Sequence, residues 1–348
     1  MKNSLRLPLL VAGLGLFGWF VQQTGWADIR GTFEALGWLG LLVLIPYAAV
    51  FSIDTLGWRF TFGPTALTHV SYLVTWRIRL IGEAINNVIP SMYVGGEAAK
   101  LFLLKREGVS RLTSASAAVR SKTAQSIAQS TFIAMGATMA ALTLSSEHVA
   151  VKWAFAGIAL IGFTVMALLF KIQKQGMVAT LVNWVRSLGF KLQFASENEK
   201  KIQTLDDEIY HFYNRDKKQS RWCTLIYLLA WAFDTIEIMV VAHLLGAEVA
   251  WHHAFAMEAF IGVARGFNTV VPGALGVQDF SIVGLFVLFG YGSELGTQYA
   301  VARRGRDVVF AALGWLLLSV GEVTWQGIRA DLENSSSPPQ RNGAILDR

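Results

Sequence analysis

The chain has 348 residues, of which 53% are apolar and only 16% charged, and its mean hydropathy is +0.44. Soluble proteins carry about 25% charged residues, so this composition predicts a polytopic membrane protein and excludes a large soluble catalytic domain. The single cysteine, Cys223, excludes an intramolecular disulfide. The net charge of +6 suits loops that face anionic lipid and gives no reason to expect nucleic-acid binding.

Six apolar runs are candidate membrane spans. They are Leu7 to Val21, Leu36 to Phe60, Ala124 to Leu144, Val149 to Phe170, Trp222 to Leu245 and Asp307 to Trp325. Lys2 and Arg6 precede the first run, as in a signal peptide, but no small-residue cleavage site follows it. We therefore expect a retained first span and a cytoplasmic N-terminus in the inner membrane.

Two further apolar stretches are broken in the middle by proline and glycine. Ile78 to Leu104 contains Pro90, Gly95 and Gly96, and Ala254 to Phe289 contains Pro272, Gly273 and Gly276. Broken backbone at membrane depth is tolerated where protein buries it or where it lines a wet cavity. The sequence thus predicts an all-α fold with about six full crossings and two re-entrant hairpins at the functional centre.

The longest polar segments are residues 172–221 and the C-terminal tail. Lys171 through Arg221 carries ten basic and six acidic residues, which predicts a cytoplasmic loop. Within it, Ile202, Leu205, Ile209 and Phe212 have helical spacing and predict an amphipathic helix, and Met177 to Phe190 is a second candidate for one. Residues 331–348 have too little apolar surface to fold, so we expect one domain, 1–330, and a disordered tail.

An internal repeat relates the two halves of this domain, with units at about 5–145 and 149–327. With a constant offset in numbering, Tyr47 and Asp54 match Tyr227 and Asp234; after a two-residue insertion, Pro90, Glu97, Gly108 and Lys122 match Pro272, Asp279, Gly290 and Arg304. Three crossings and one hairpin in each unit predict an inverted-topology repeat with both termini in the cytoplasm. That arrangement places Arg303, Arg304 and Arg306 on the outer side, against the positive-inside trend. Either the repeat is wrong or these arginines have a specific role. In the alternative topology the second broken segment is a crossing, which returns the arginines to the cytoplasm and leaves the C-terminus outside.

Charged residues of both signs lie inside the apolar runs or beside the two breaks, where each costs about 2.5–3.5 kcal/mol to insert. The candidate substrate-binding residues are Asp54, Glu97, Lys100, Lys122, Asp234, Arg265, Asp279 and Arg304. Basic residues beside the N-terminal amides of a half-helix suit an anionic headgroup such as a lipid phosphate. The structural alternatives are that ion pairs merely join helices, and that Glu97 and Asp279 cap the helices that follow the breaks.

Motifs for soluble enzyme chemistry are absent from the sequence. No phosphate-binding G-x-x-x-x-G-K-[ST] and no G-x-S-x-G nucleophile motif occurs. His252, His253 and Glu258 do not make a convincing metal site, because adjacent histidines point to different sides of a helix. We therefore expect no metal, no cofactor and no ATP-driven chemistry within this chain.

The broken segments resemble the membrane-domain family of lysylphosphatidylglycerol synthases and flippases, including its single-domain, flippase-like branch and members linked to hopanoid biosynthesis. The first signature runs from Ile81-Gly82 through Asn87, Pro90, Gly95-Gly96-Glu97 and Lys100 to Gly108-Val109-Ser110. The second is Pro272-Gly273-Ala274-Leu275-Gly276-x-x-Asp279. The likeness covers about residues 5 to 328.

This resemblance implies a membrane domain that handles lipid, which in the two-part members moves aminoacylated phosphatidylglycerol between leaflets. The chain lacks the soluble synthase domain, and it has Ala274 and Asp279 where many relatives have Gly and Glu. Synthesis is therefore not carried over, and a hopanoid or other polyisoprenoid-derived lipid fits as well as a phospholipid. The rival hypotheses are a membrane-embedded enzyme subunit that uses Glu97 or Asp279 as acid or base, and a scaffold for lipid-biosynthesis enzymes.

Overall fold

The computed structural model describes residues 24–62, 67–88, 94–144, 149–173, 210–266 and 276–320, together with a few isolated positions. The predicted first span apart from Gly18 and Val21, as well as Pro90, Pro272, Gly273, the segment 177–190 and the C-terminal tail, lies outside the described residues. Within the described residues the secondary structure is helical and contains no strand, which confirms the all-α prediction.

The described part of the chain consists mainly of nine α-helices. Helical residues 24–36 and a 3₁₀ segment precede them. The 3₁₀ segment is Gly37–Val43, and the α-helices are α1 (Leu44–Phe60), α2 (Tyr72–Val88), α3 (Val94–Arg106), α4 (Arg111–Thr143), α5 (Val149–Gln173), α6 (Lys217–Leu244), α7 (Trp251–Arg265), α8 (Val277–Leu288) and α9 (Ser293–Val320).

Three of the described helical segments are long and apolar enough to cross a membrane. They are Thr24–Phe60, Val149–Leu168 and Lys217–Leu244. On α5 the large side chains of Trp153, Leu160 and Ile161 are exposed, as expected of a helix that faces lipid. These features confirm a membrane protein with transmembrane helices.

Two predicted spans belong to helices that begin earlier than the apolar runs. The run at Ala124 is the second part of α4, which starts at Arg111, and the run at Asp307 belongs to α9, which starts at Ser293. Their first turns are polar, but Ser114 and Ser116 are buried inside the protein. Hydropathy therefore missed these turns, because side chains that face protein need not be apolar.

Each predicted broken segment contains two separate helices, α2 with α3 and α7 with α8. Gly95 and Gly96 lie in the first turn of α3, and Gly276 precedes α8 with a φ of 77°. A Cβ atom on Gly96 would lie 2.1 Å from the carbonyl oxygen of Gly82. Glycine at 96 therefore allows α2 and α3 to approach more closely than any other residue would.

The ends of α3 and α8 are built in the same way and occupy corresponding positions of the sequence repeat. Gly108 and Gly290 have φ values of 82° and 83°. The amide of Val109 donates to Leu104 over 3.0 Å, and the amide of Tyr291 donates to Phe286 over 2.8 Å. The helices that follow, α4 and α9, also begin at corresponding positions of the repeat.

Helices from the first half of the chain pack against helices from the second half. Helix α1 packs against α6, α4 packs against α7, and α9 packs against α2. The closest approaches are at glycines, because a Cβ on Gly136 would lie 2.2 Å from that of Ala259, and one on Gly314 would lie 2.5 Å from that of Ala84. Small residues at helix crossings are typical of membrane interiors.

Candidate functional site

A cavity of about 800 Å³ lies among helices α1, α2, α3, α4, α6 and α7. This volume is within the usual range of small-molecule sites. The charged side chains in its wall are Asp54, Arg79, Glu83, Glu97, Lys100, Lys122 and Arg265. The structure thus brings five of the eight predicted site residues, Asp54, Glu97, Lys100, Lys122 and Arg265, to one cavity.

The wall formed by α1 and α2 carries an ion pair. Arg79 Nη2 donates to Asp54 Oδ2 over 2.7 Å, and both side chains are partly buried. The Arg79 guanidinium also lies over the ring of Phe51, 5.3 Å from its centroid. Asp54, predicted as an intramembrane acid, therefore faces the protein interior and has a cationic partner.

The wall formed by α3 and α4 places two ammonium groups on one carboxylate. Glu97 Oε1 lies 2.7 Å from Lys100 Nζ and 3.2 Å from Lys122 Nζ. Lys100 is buried, and its Nζ lies 5.6 Å from the ring centroid of Trp58. The Lys122 side chain is 48% exposed, so it is the more accessible of the two cations.

The wall formed by α6 and α7 is organised by Arg265. Its guanidinium donates to Asp234 Oδ2 over 3.0 Å and to Glu258 Oε1 over 2.8 Å. It also lies 5.4 Å from the ring centroid of Trp231. Asp234 is only 2% exposed and does not line the cavity itself. Its link to the cavity is its ion pair with Arg265, which does line it.

Uncharged polar side chains form a row along α4. Ser121, Gln125, Ser126 and Gln129 share a face with Lys122 and line the cavity. Gln129 Nε2 donates to the carbonyl oxygen of Gly262 on α7 over 3.2 Å. Sequence reasoning missed this row, although its repeated spacing of one helical turn was a usable signal.

The remaining two predicted site residues, Asp279 and Arg304, form a pair away from this cavity. Arg304 Nε and Nη2 donate to the two carboxylate oxygens of Asp279 over 2.7 and 2.8 Å. Asp279 also accepts a hydrogen bond from the amide of Gly276 over 2.9 Å, at the start of α8. Asp279 therefore caps α8, as the structural alternative predicted, and joins it to α9.

The other two arginines of α9 are buried and paired. Arg303 Nη1 and Nη2 donate to Glu258 over 2.9 and 3.0 Å, and both side chains are no more than 1% exposed. Arg306 donates to Glu237, which is also buried. Arg303 and Arg306 thus have a structural role, since they neutralise buried carboxylates on α7 and α6.

The sequence does not predict a metal site at His252, His253 and Glu258, and two of these residues have other partners. Glu258 is held by Arg265 and Arg303, and His253 Nδ1 lies 2.8 Å from the hydroxyl of Tyr291. Among the residues that the structure describes, no group of three or more His, Cys, Asp or Glu side chains could hold a metal ion.

Buried ion pairs, apolar helices and a charged interior cavity together define a polytopic membrane protein. Residues 7–314 match the family described as the lysylphosphatidylglycerol synthase TM region, so the chain belongs to this family. It is also 21% identical to a UPF0104 membrane protein of Pyrococcus horikoshii, over 80% of this chain and 87% of that protein. No solved structure matches the chain.

Proposed function

We propose that this protein is a lipid transporter of the flippase type, which binds an anionic or polyisoprenoid-derived lipid by its headgroup and moves it between leaflets. The observation that carries the proposal is the cavity of about 800 Å³ with charged residues of both signs on three walls. A polar headgroup cannot cross hydrocarbon unaided, because each unsatisfied polar group costs several kcal/mol there. A protein cavity lined with charged and amide groups removes this cost.

In this proposal the phosphate of the headgroup binds at the junction of α3 and α4. Lys100 and Lys122 converge on Glu97, so two positive charges meet one negative charge at this point. An ammonium group has three donor hydrogens, so Lys122 can donate to a phosphate oxygen while it stays beside Glu97. The glutamate positions both amines before the lipid arrives.

The opposite walls complete the headgroup site. Arg79 and Arg265 line the cavity, and Asp54 and Asp234 hold these two guanidinium groups in position. The amides of Gln125 and Gln129 offer hydrogen bonds to headgroup hydroxyl or ester groups. Acyl or polyprenyl chains stay in the bilayer, since their transfer between lipid and protein brings no large gain.

We also propose that the two halves are inverted repeats and that α2–α3 and α7–α8 are re-entrant hairpins around Pro90 and Pro272. The support is threefold: the helix starts recur at corresponding positions, the packing of α4 on α7 is matched by that of α9 on α2, and two ion pairs correspond. The pair of Glu97 with Lys122 has the same sequence separation as the pair of Asp279 with Arg304. In this arrangement Asp279 and Arg304 hold the second hairpin in place, while Glu97 and Lys122 contact the substrate.

We place the N-terminus in the cytoplasm and the protein in the inner membrane.

Vesicle reconstitution tests the proposal. Purified protein is placed in phosphatidylcholine vesicles that contain traces of fluorescent phosphatidylglycerol, and dithionite then bleaches the fluorophores that reach the outer leaflet. We expect faster loss of the inner-leaflet signal than in protein-free vesicles. The same assay is repeated with a fluorescent polyprenyl phosphate, since both lipids carry the phosphate that the site requires. Equal rates with and without protein for both probes would contradict transport.

A chemically altered lipid after incubation would instead favour the enzyme hypothesis. Thin-layer chromatography of the same vesicles detects this outcome, and Glu97→Gln would abolish it if Glu97 were an acid or base.

A further inference from the structure

Glu83 lies in the walls of two spaces inside the protein. Its side chain on α2 lines the large cavity, and it also lines a second, small space of about 10 Å³. The small space is also lined by Tyr47 of α1, Asn87 of α2 and Asp307 of α9. Glu83 is therefore the acidic residue common to the walls of both spaces.

The bonding of Glu83 differs from that of the other two acids in the cavity wall. Asp54 binds Arg79, and Glu97 binds Lys100 and Lys122. Among the described residues Glu83 has no cationic partner within ion-pair distance. A carboxylate that is not held by a cation can gain and lose a proton without breaking an ion pair.

The small space has the size and polarity that one water molecule needs. A volume of roughly 10–15 Å³ admits one water, provided that two to four polar groups surround it. Glu83, Asn87, Asp307 and Tyr47 supply such groups. Glu83 and Asp307, whose side chain is 30% exposed, are the two acidic residues in the wall of this space.

From this geometry we infer that lipid movement is coupled to a proton, which passes from the Asp307 side through a bridging water to Glu83 and from there into the headgroup cavity. This inference rests on the proposed transport function. The proton is taken from water, binds a Glu83 carboxylate oxygen, and is released to water in the cavity, so no other reactant is consumed. Carboxylates inside membrane proteins commonly serve such relays.

The charged and titratable groups around Glu83 belong to its own helix, to the helices packed against α2, and to the facing wall of the cavity. They are Arg79 on α2, Tyr47 and Asp54 on α1, Glu97 and Lys100 on α3, Arg306 and Asp307 on α9, and Arg265 on α7. The acids in this set, apart from Glu83, contact a basic residue.

Two variants test the relay in the same vesicles, with fluorescent phosphatidylglycerol as probe and an imposed pH difference. We expect the pH difference to change the wild-type rate severalfold. Glu83→Gln keeps the shape of the side chain and should move lipid at a rate that no longer responds to the pH difference. Ala311→Leu fills the small space from α9 and should reduce the response while leaving the cavity intact. Glu248→Gln, at an exposed site between α6 and α7, is the matched control and should behave as wild type.

The outcomes separate this inference from the proposed function. Wild-type protein that moves lipid at the same rate with and without the pH difference overturns proton coupling alone. Wild-type protein that moves no lipid under either condition overturns both. A Glu83→Gln protein that is folded but moves no lipid under either condition makes Glu83 a headgroup ligand and also overturns the relay.

Discussion

Lys122 reaches Glu97 from the neighbouring helix at 3.2 Å, yet nearly half of its side chain stays exposed. This contact differs from the other cavity ion pairs, in which the basic partners are less exposed. Because Glu97 also binds the buried Lys100, the Lys122 ammonium can turn toward a ligand without leaving the carboxylate alone. Lys122 therefore has the geometry of a ligand-binding cation that is already held in place.

The first prediction concerns this residue. Lys122→Gln should weaken the binding of phosphatidylglycerol about tenfold, because a hydrogen bond to a charged group contributes about 1.5–3 kcal/mol and about 1.4 kcal/mol is tenfold in affinity. Binding is measured by titrating detergent-solubilised protein with the fluorescent lipid. Lys218→Gln, which removes an exposed lysine near the start of α6, is the control and should bind as wild type. An equal loss in both variants would show that the effect is one of overall charge.

The second prediction concerns the buried pair of Arg303 and Glu258. Arg303→Met should lower the free energy of unfolding by about 3 kcal/mol, the lower end of the range for breaking a buried pair, because Glu258 keeps Arg265 as a partner. Thermal unfolding in detergent, followed by tryptophan fluorescence, measures the change. Arg30→Met removes an exposed arginine that pairs with Glu34 and should leave the unfolding temperature unchanged. If the two variants unfold at the same temperature, Arg303 has no stabilising role.

The third prediction tests the close approach of α2 and α3. In Gly96→Ala the new methyl group would lie 2.1 Å from the Gly82 carbonyl oxygen and 2.4 Å from Asn86 Oδ1, so the two helices must separate. The Lys100 side chain packs on Gly82, and its displacement should reduce both lipid binding and thermal stability. Gly284→Ala in α8 has open space around the new methyl group and should be neutral or slightly stabilising. Similar behaviour of the two variants would contradict this packing.

The fourth prediction concerns topology. Arg111 and Ser293 are exposed, occupy corresponding positions of the repeat, and begin the helices α4 and α9. In a Cys223→Ser background, cysteine at 111 should react with an impermeant maleimide only from the cytoplasmic side, and cysteine at 293 only from the outside. Labelling of both from one side would exclude the inverted repeat.

Several residues of the cavity wall were predictable, because a charged residue inside an apolar run is costly and is therefore expected to have a specific role. Asp54, Lys100, Lys122 and Arg265 stand out in the sequence for this reason, and the structure places each of them in the cavity wall. Partners on other helices were not predictable. The contact of Arg265 on α7 with Asp234 on α6 depends on how these two helices cross, which hydropathy does not specify.

The two halves of the sequence repeat share a helix pattern, but they differ in the residues at corresponding positions. At the positions of the second half that correspond to Ser121 and Ala124, the chain carries Arg303 and Arg306. Ser121 lines the cavity, whereas Arg303 and Arg306 are buried and neutralise Glu258 and Glu237. The helix pattern alone therefore does not tell which residue of a corresponding pair lines the cavity.

Native mass spectrometry of the purified protein tests the central claim most directly, because it identifies lipid that stays bound after extraction. We expect wild-type protein to retain a phosphate-bearing lipid at one copy per chain, and Lys122→Gln to lose most of it while Lys218→Gln retains it. Wild-type protein that carries no specific lipid, or that carries the same lipids as the Lys122→Gln variant in the same amounts, would contradict a headgroup site in this cavity.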